Sequence, residues 1–140
     1  MSNTGDIRDV VKVRAGQPSD RSYVIKSWVS SFNHSPLARA LGNAYYVSYA
    51  PIIERQLARS QVRVACLPEE PGAILGFVVV EPDKNIVHYA CTREKWRRRG
   101  IASLLLAREL DIANVSYTHS APPYAKAPPT WVYRPLTGIF

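Results

Sequence analysis

The sequence predicts one domain of the α/β (α+β) class, in which strands and amphipathic helices follow one another along most of the chain. Apolar runs bounded by turn residues indicate strands, and the run at 73–80 is almost wholly apolar. Apolar residues three and four positions apart indicate helices, as between residues 20 and 32. With 140 residues, 46% of them hydrophobic, the chain suffices for one sizeable core and is too short for two.

The first half of the chain predicts one strand and two helices. A β-branched run indicates the strand, and Ser19 or Asp20 is expected to cap the first helix. A connection rich in turn residues follows that helix, and Pro51 fits the first turn of the second one. The predicted ranges are 10–14 for the strand, 20–32 for the first helix and 51–60 for the second.

The second half predicts four strands and one helix. Gly76, inside the central strand, indicates a bulge or the close approach of a neighbour. The turn at 81–85 makes the strands on either side of it antiparallel neighbours. Four prolines between residues 120 and 130 argue against a helix there, and residues 131–134 could form a closing strand. The predicted ranges are 61–66, 73–80, 86–91 and 115–119 for the strands, and 101–110 for the helix.

A basic loop lies between the predicted strand at 86–91 and the predicted helix at 101–110. Five of the seven residues from Arg93 to Arg99 are basic, and Gly100 follows at once. The first turn of a helix leaves backbone N–H groups without intrahelical partners, and the helix dipole adds partial positive charge there. A glycine at the entrance lets a ligand approach those amides. The arrangement suits a phosphate or a pyrophosphate, although a solvated basic face before an ordinary helix would have the same pattern.

The loop also carries the pattern Arg97-x-x-Gly100-x-Ala102, which resembles the Arg/Gln-x-x-Gly-x-Gly/Ala signature of the GNAT superfamily of N-acetyltransferases. The tryptophan before the arginines and the pair of leucines after the motif are also similar to that family. The resemblance implies a central mixed, mostly antiparallel, twisted sheet flanked by helices. It covers roughly residues 10–119 of the single domain 1–140, and the proline-rich segment 120–140 is atypical of the family.

The resemblance further implies the transfer of an acetyl group from acetyl-coenzyme A to a primary amine. In this family the amides of the motif hold the pyrophosphate, and the pantetheine arm inserts between the fourth and fifth strands. A backbone N–H of the fourth strand usually polarises the thioester carbonyl. The residues implied for the cofactor are Tyr89, Ala90 and Cys91 on the strand, with Arg97, Arg98, Arg99, Gly100, Ile101 and Ala102 in the loop and the first helical turn.

Acyl transfer also needs a base that takes the proton of the amine. His119 is the first candidate because it ends the strand that borders the cofactor gap. Glu81 and His88 are the other two. A turn role is favoured for Glu81, and His88, on the face of Ala90, could equally be a core residue. Water could also serve as the base.

The leaving thiolate needs an acid, and Tyr124 is nearest in the chain to the tyrosine that the family uses. Tyr117 and Tyr133 are the alternatives. Cys91 is a rival nucleophile at the mouth of the basic loop, although a core role is favoured because no base is placed for it.

The net charge of +7 favours anionic partners, of which coenzyme A is one. The carrier of the amine stays open between a small molecule, a peptide and a modified nucleic acid. Two alternatives remain. One is a GNAT-like module without catalysis that binds nucleic acid or a protein through its basic surface, and the other is a different strand-loop-helix protein with another phosphate ligand.

Composition also indicates location and assembly. The two cysteines and three histidines show neither a disulfide framework nor metal-ligand spacing, so no metal is expected. No segment reaches the ~18 apolar residues of a membrane span, and a soluble, cytoplasmic protein is expected. The apolar tail at 136–140 could dock on the chain's own core or on a second copy in a homodimer.

Overall fold

In a computed structural model, the chain forms a six-stranded mixed sheet with helices on both faces. The structure describes residues 7–31, 43–118 and 130–133, with the backbone alone for residues 43–49 and 133. Within these ranges, no helix has the length and apolar character that crossing a membrane requires.

The strands follow one another across the sheet in chain order. The first four are antiparallel neighbours, whereas β5 is parallel to β4 and β6 is parallel to β5. This topology confirms the expected mixed, mostly antiparallel sheet of an α+β domain. The strands are β1 (Lys12–Ala15), β2 (Gln61–Leu67), β3 (Glu70–Glu81), β4 (Ile86–Thr92), β5 (Ser116–Tyr117) and β6 (Val132–Tyr133). The helices are α1 (Ile7–Val10), α2 (Arg21–Ser31), α3 (Asn43–Arg59) and α4 (Ile101–Glu109).

Two apolar layers hold the helices to the sheet. On one face, α2 and α3 bury side chains such as Trp28 and Ile53 against the central strands. On the other face, α4 buries Ile101, Leu105 and Leu106 against β3 and its neighbours. Because β3 is buried on both faces, its sequence is apolar at almost every position rather than alternating.

Two of the three predicted helix starts need correction. α3 begins at Asn43, so Pro51 lies inside the helix, where core packing of its later turns outweighs the lost backbone hydrogen bond. A 3-10 turn at Pro18–Asp20 runs directly into α2. There the Asp20 carboxylate accepts hydrogen bonds from the Arg14 guanidinium, at 2.7 and 3.0 Å, and from the N–H of Gln17, at 2.7 Å.

The strands differ from their predicted ranges by a few residues. Val10 belongs to the short helix α1 rather than to β1, and β3 begins at Glu70, before its predicted start at residue 73. The predicted closing strand is confirmed as β6. Most of the predicted connection at 33–43, and the proline-rich segment up to residue 129, lie outside the described residues.

Gly76 is a position of close approach, as its place in β3 predicts. A Cβ atom there would lie 2.9 Å from the Cys91 carbonyl oxygen and 3.0 Å from Cγ2 of Ile101. The missing side chain therefore lets the first residue of α4 pack directly on β3. This contact fixes where α4 begins relative to the sheet.

We expect Gly76→Ala to destabilise the protein by about 1 to 3 kcal/mol, because backbone on one side and a core side chain on the other would have to move. Gly72→Ala is the matched control in the same strand, since nothing lies within 4 Å of its Cβ position. The control should change stability by less than about 0.5 kcal/mol. Urea unfolding of both variants measures the difference, and equal midpoints would contradict the close approach.

Candidate active site

β5 pairs with β4 over two residues only. Residues 86–87 of β4 face residues 116–117 of β5, and the N–H of Thr118 then donates to the Val87 carbonyl at 3.2 Å. β4 continues to its end while paired with β3 on its other side. Beyond Val87, no described residue pairs with the β5 edge of β4. We call this edge, residues 88–92 with Thr118 at the closed end, the β4–β5 fork.

A β-bulge lies at the closed end of the fork. Residues 79–80 of β3 pair with Tyr89 and Val87 of β4, so His88 is an extra residue in the ladder. The bulge turns two consecutive side chains toward α2. Trp28 stacks on Tyr89 with ring centroids 5.6 Å apart, and on His88 with centroids 6.3 Å apart.

The bulge also resets the alternation of β4. The N–H of Arg93 donates to the Leu75 carbonyl at 2.9 Å, and alternate residues of a strand direct their backbone groups to the same side. The backbone N–H and C=O groups of Cys91 therefore also point toward β3, and those of Ala90 point toward the fork. The prediction that His88 and Ala90 share a face of the sheet is wrong, because strict alternation along the sequence takes no account of the bulged residue.

The open end of the fork leads into the basic loop and α4. Gly100 has φ of +86° and ψ of 15°, a left-handed conformation that suits glycine, and no side chain caps the first turn of α4. Arg98 also has positive φ, at 65°. Ile101 is only 1% exposed and anchors the helix start. The first N–H groups of α4 are thus held at the surface beside the end of β4.

The basic side chains of the loop are exposed but partly ordered. Arg97 Nε donates to the Thr92 carbonyl at 3.1 Å, and the Arg99 guanidinium lies 5.0 Å from the ring centroid of Trp96. Trp96 itself packs against the apolar layer of α4. The arginines predicted for the pyrophosphate therefore lie exposed in the loop directly before the helix start.

Three buried polar side chains meet at the closed end of the fork. His88 Nε2 lies 2.8 Å from Glu81 Oε2, and His88 Nδ1 lies 2.7 Å from Thr118 Oγ1. The exposed fractions of Glu81, His88 and Thr118 are 6%, 1% and 3%. Glu81 Oε1 lies 4.0 Å from Nζ of Lys84, whose side chain is 55% exposed in the turn between β3 and β4. The network therefore runs from the fork to that turn.

The hydrogen-bond partners determine the tautomer of His88. Burial lowers its pKa, and the hydrogen bond to Glu81 opposes that shift without reversing it, so the ring is neutral at pH 7. A carboxylate can only accept, so Nε2 carries the proton and donates to Glu81. Nδ1 keeps its lone pair and accepts from the Thr118 hydroxyl.

A second polar cluster lies on the α2 side of the fork. Ser27 Oγ donates to Cys91 Sγ at 3.3 Å, and the Tyr89 hydroxyl donates to the Ser27 carbonyl at 3.2 Å. Burial raises the pKa of Tyr89, so its hydroxyl stays protonated at neutral pH. Cys91 is a free, half-buried thiol. Its described hydrogen-bond partner is a hydroxyl rather than a base, which favours a packing role over that of a nucleophile.

The structure brings together two of the four catalytic candidates. Glu81 and His88 were predicted as alternatives, yet they are hydrogen-bonded partners. His119 and Tyr124 lie outside the described residues. Thr118 was missed, because only the register between β4 and β5 identifies it as a partner of His88.

The mixed, mostly antiparallel sheet flanked by helices is the architecture that the sequence resemblance implies. No protein-family model matches this chain, and none of the curated proteins matches it significantly.

Three solved structures show the extent of the likeness. A GCN5-related N-acetyltransferase from Rhodopseudomonas palustris has 15% identity and a TM-score of 0.48, over 71% of this chain and 62% of that one. A histone acetyltransferase HPA2 and related acetyltransferase from Corynebacterium glutamicum has 17% identity and a TM-score of 0.49, over 71% and 69%. A GNAT-family acetyltransferase from Staphylococcus aureus Mu50 has 14% identity and a TM-score of 0.44, over 71% and 62%. The match thus spans less than two thirds of the first and third of these chains.

We expect the His88 imidazole to titrate below its ordinary pKa of ~6.5 in the folded protein and to hold its single proton on Nε2. In Glu81→Gln the pKa should fall further, because the carboxylate that favours the charged ring is gone. Nitrogen-detected NMR titration measures both the pKa and the tautomer. A midpoint at or above 6.5, or a proton on Nδ1, would contradict the described network.

Proposed function

We propose that this chain is an N-acetyltransferase that uses acetyl-coenzyme A and acetylates a primary amine. The observation that carries the proposal is the β4–β5 fork, whose fourth strand leads through the arginine-rich loop to the uncapped start of α4. A thioester cofactor with a long thin arm and a polyanionic head matches such a site in both shape and charge. The soluble pool of acetyl-coenzyme A makes the cytoplasm the expected location.

The loop and first turn would hold the pyrophosphate. The N–H groups that follow Gly100 have no side-chain cap, and a pyrophosphate would accept from them while gaining from the helix dipole. Arg97, Arg98 and Arg99 would add charge around it. In our proposal, the backbone amides from Gly100 to Ala102 therefore contact the pyrophosphate directly, and the guanidinium groups lie around it.

The strand would hold the acetyl group. The pantetheine arm would lie along residues 89–91, in the place that a longer β5 would otherwise occupy. Because the backbone of Ala90 faces the fork, we assign its N–H to the thioester carbonyl, where it would stabilise the negative charge of the tetrahedral intermediate. Such donors typically contribute a factor of about 10² to 10³ in rate.

The acceptor amine would approach from the α2 side of the fork, where Ser27 and Tyr89 present hydroxyl groups. Small molecules, peptides and modified nucleic acids all stay within the proposal, and the net charge of +7 favours an anionic carrier. The contact between Glu81 and His88 supports them as the base. His119 and Tyr124 stay predictions for proton transfer, with Tyr124 as the acid.

We expect Gly100→Asp to weaken acetyl-coenzyme A binding by at least about tenfold relative to Gly100→Asn. The two side chains have nearly the same shape, and both tolerate the left-handed conformation, so the pair differs mainly by one negative charge beside the pyrophosphate. Isothermal titration calorimetry measures the affinities, and thermal unfolding checks that both variants fold equally well.

Equal affinities of the two variants would place the pyrophosphate elsewhere. A folded wild-type protein that fails to bind acetyl-coenzyme A would overturn the proposal. It would leave the basic surface as a docking site for nucleic acid or protein, whose binding should then weaken steeply with salt.

A further inference from the structure

We propose that Thr118, His88 and Glu81 form a proton relay that carries the proton of the attacking amine out of the fork to the turn at Lys84. Thr118 would be the catalytic residue that contacts the amine, and the other two would act through it. The inference rests on the proposed acetyl transfer, but it concerns a separate part of the site.

The direction of the relay follows from the hydrogen bonds. The Glu81 carboxylate accepts from Nε2, so Nδ1 must accept from the Thr118 hydroxyl. The hydroxyl oxygen has further acceptor capacity for an N–H in the fork. In this arrangement protons can move only from the fork toward Glu81, and the 2.7 and 2.8 Å separations are those of good hydrogen bonds.

The position of the relay provides a proton exit that the cofactor would not block. Thr118 closes the fork at the end opposite the basic loop, so pantetheine entering from that loop would point its thioester toward the hydroxyl. Glu81 is the last residue of β3, and Lys84 beside it is exposed. A proton that reaches Glu81 is therefore next to solvent on the far side of the fork.

The chemical step balances as follows. The amine nitrogen forms a bond to the acetyl carbon, the carbon–sulfur bond breaks, and the electron pair leaves with the sulfur of coenzyme A. A protonated amine loses two protons on becoming an amide. One goes to the sulfur, giving the free thiol. The other enters Thr118 Oγ1 as the hydroxyl proton moves to His88 Nδ1 and the Nε2 proton moves to Glu81, which releases it to solvent.

The groups that face His88 support its role in the proton relay. Trp28 of α2 stacks on the ring and brings no charge, while Glu81 and, beyond it, Lys84 are the charged groups that act on it among the described residues. Because burial keeps the ring neutral, it can accept a proton, and the adjacent carboxylate stabilises the transient imidazolium.

The test compares Thr118→Val, which keeps the shape and removes the hydroxyl, with Thr118→Ser, which keeps the hydroxyl. The probes are acetyl-coenzyme A and a panel of primary amines: spermidine, glucosamine, a peptide with a free N-terminal alanine and a lysine peptide. Thiol release gives kcat and KM as functions of pH, calorimetry gives cofactor affinity, and circular dichroism with thermal unfolding checks the fold.

We expect kcat of Thr118→Val to fall by about 10² or more with unchanged cofactor affinity, while Thr118→Ser retains most of the rate. The wild-type rate should decline as pH falls through the His88 pKa, and the valine variant should lose that limb. If the valine variant does not fold, Glu81→Gln decides instead. It keeps an acceptor for Nε2 but cannot take the proton, so its kcat should fall at least about tenfold.

Three outcomes would overturn the relay. Equal kcat for the valine and serine variants would do so, and so would a folded Glu81→Gln with the wild-type pH profile. Cofactor binding without thiol release from any amine would also overturn it, while leaving the cofactor site intact. Absence of cofactor binding by the wild type would instead overturn the proposed function itself.

Discussion

A buried imidazole needs a partner at each ring nitrogen, and the rest of the candidate site depends on how His88 meets that need. Its partners come from the ends of two different strands, Glu81 on β3 and Thr118 just after β5. Leaving either nitrogen unpaired would cost about 1 to 3 kcal/mol. The network therefore ties β3, β4 and the end of β5 together at the closed end of the β4–β5 fork.

The bulge makes this network compatible with a regular sheet. One extra residue in β4 lets His88 and Tyr89 both face Trp28, and it turns the backbone of Ala90 toward the fork. At the other end of the strand, α4 is held by its buried first residue and by the absence of a side chain at Gly76. The sheet thus fixes the bulge at one end of the fork and the helix start at the other.

The order of elements follows from the sequence to a large extent. Apolar periodicity and turn residues locate every strand, and the motif from Arg97 to Ala102 identifies the loop that leads into α4. These signals are local, since each depends on a few consecutive residues. Pro51 shows the limit of such signals. A local rule places it at a helix start, whereas it lies inside α3, whose later turns pack in the core.

The buried polar network could not be derived in the same way. Glu81 ends β3, His88 lies in β4 and Thr118 follows β5, and sequence separation does not reveal that they touch. The bulge is equally invisible, since no residue type marks it, and a strict alternation then assigns the wrong face. Sequence reasoning therefore found two members of the network as rivals and missed the third.

The most direct test of the account is a crystal structure of the protein with coenzyme A. The account predicts that the pyrophosphate accepts hydrogen bonds from the amides that follow Gly100, and that the pantetheine lies along residues 89–91 with its thiol toward Thr118. Coenzyme A bound away from the β4–β5 fork, for instance in the cleft that Gly16, Arg21 and Arg63 line, would contradict it.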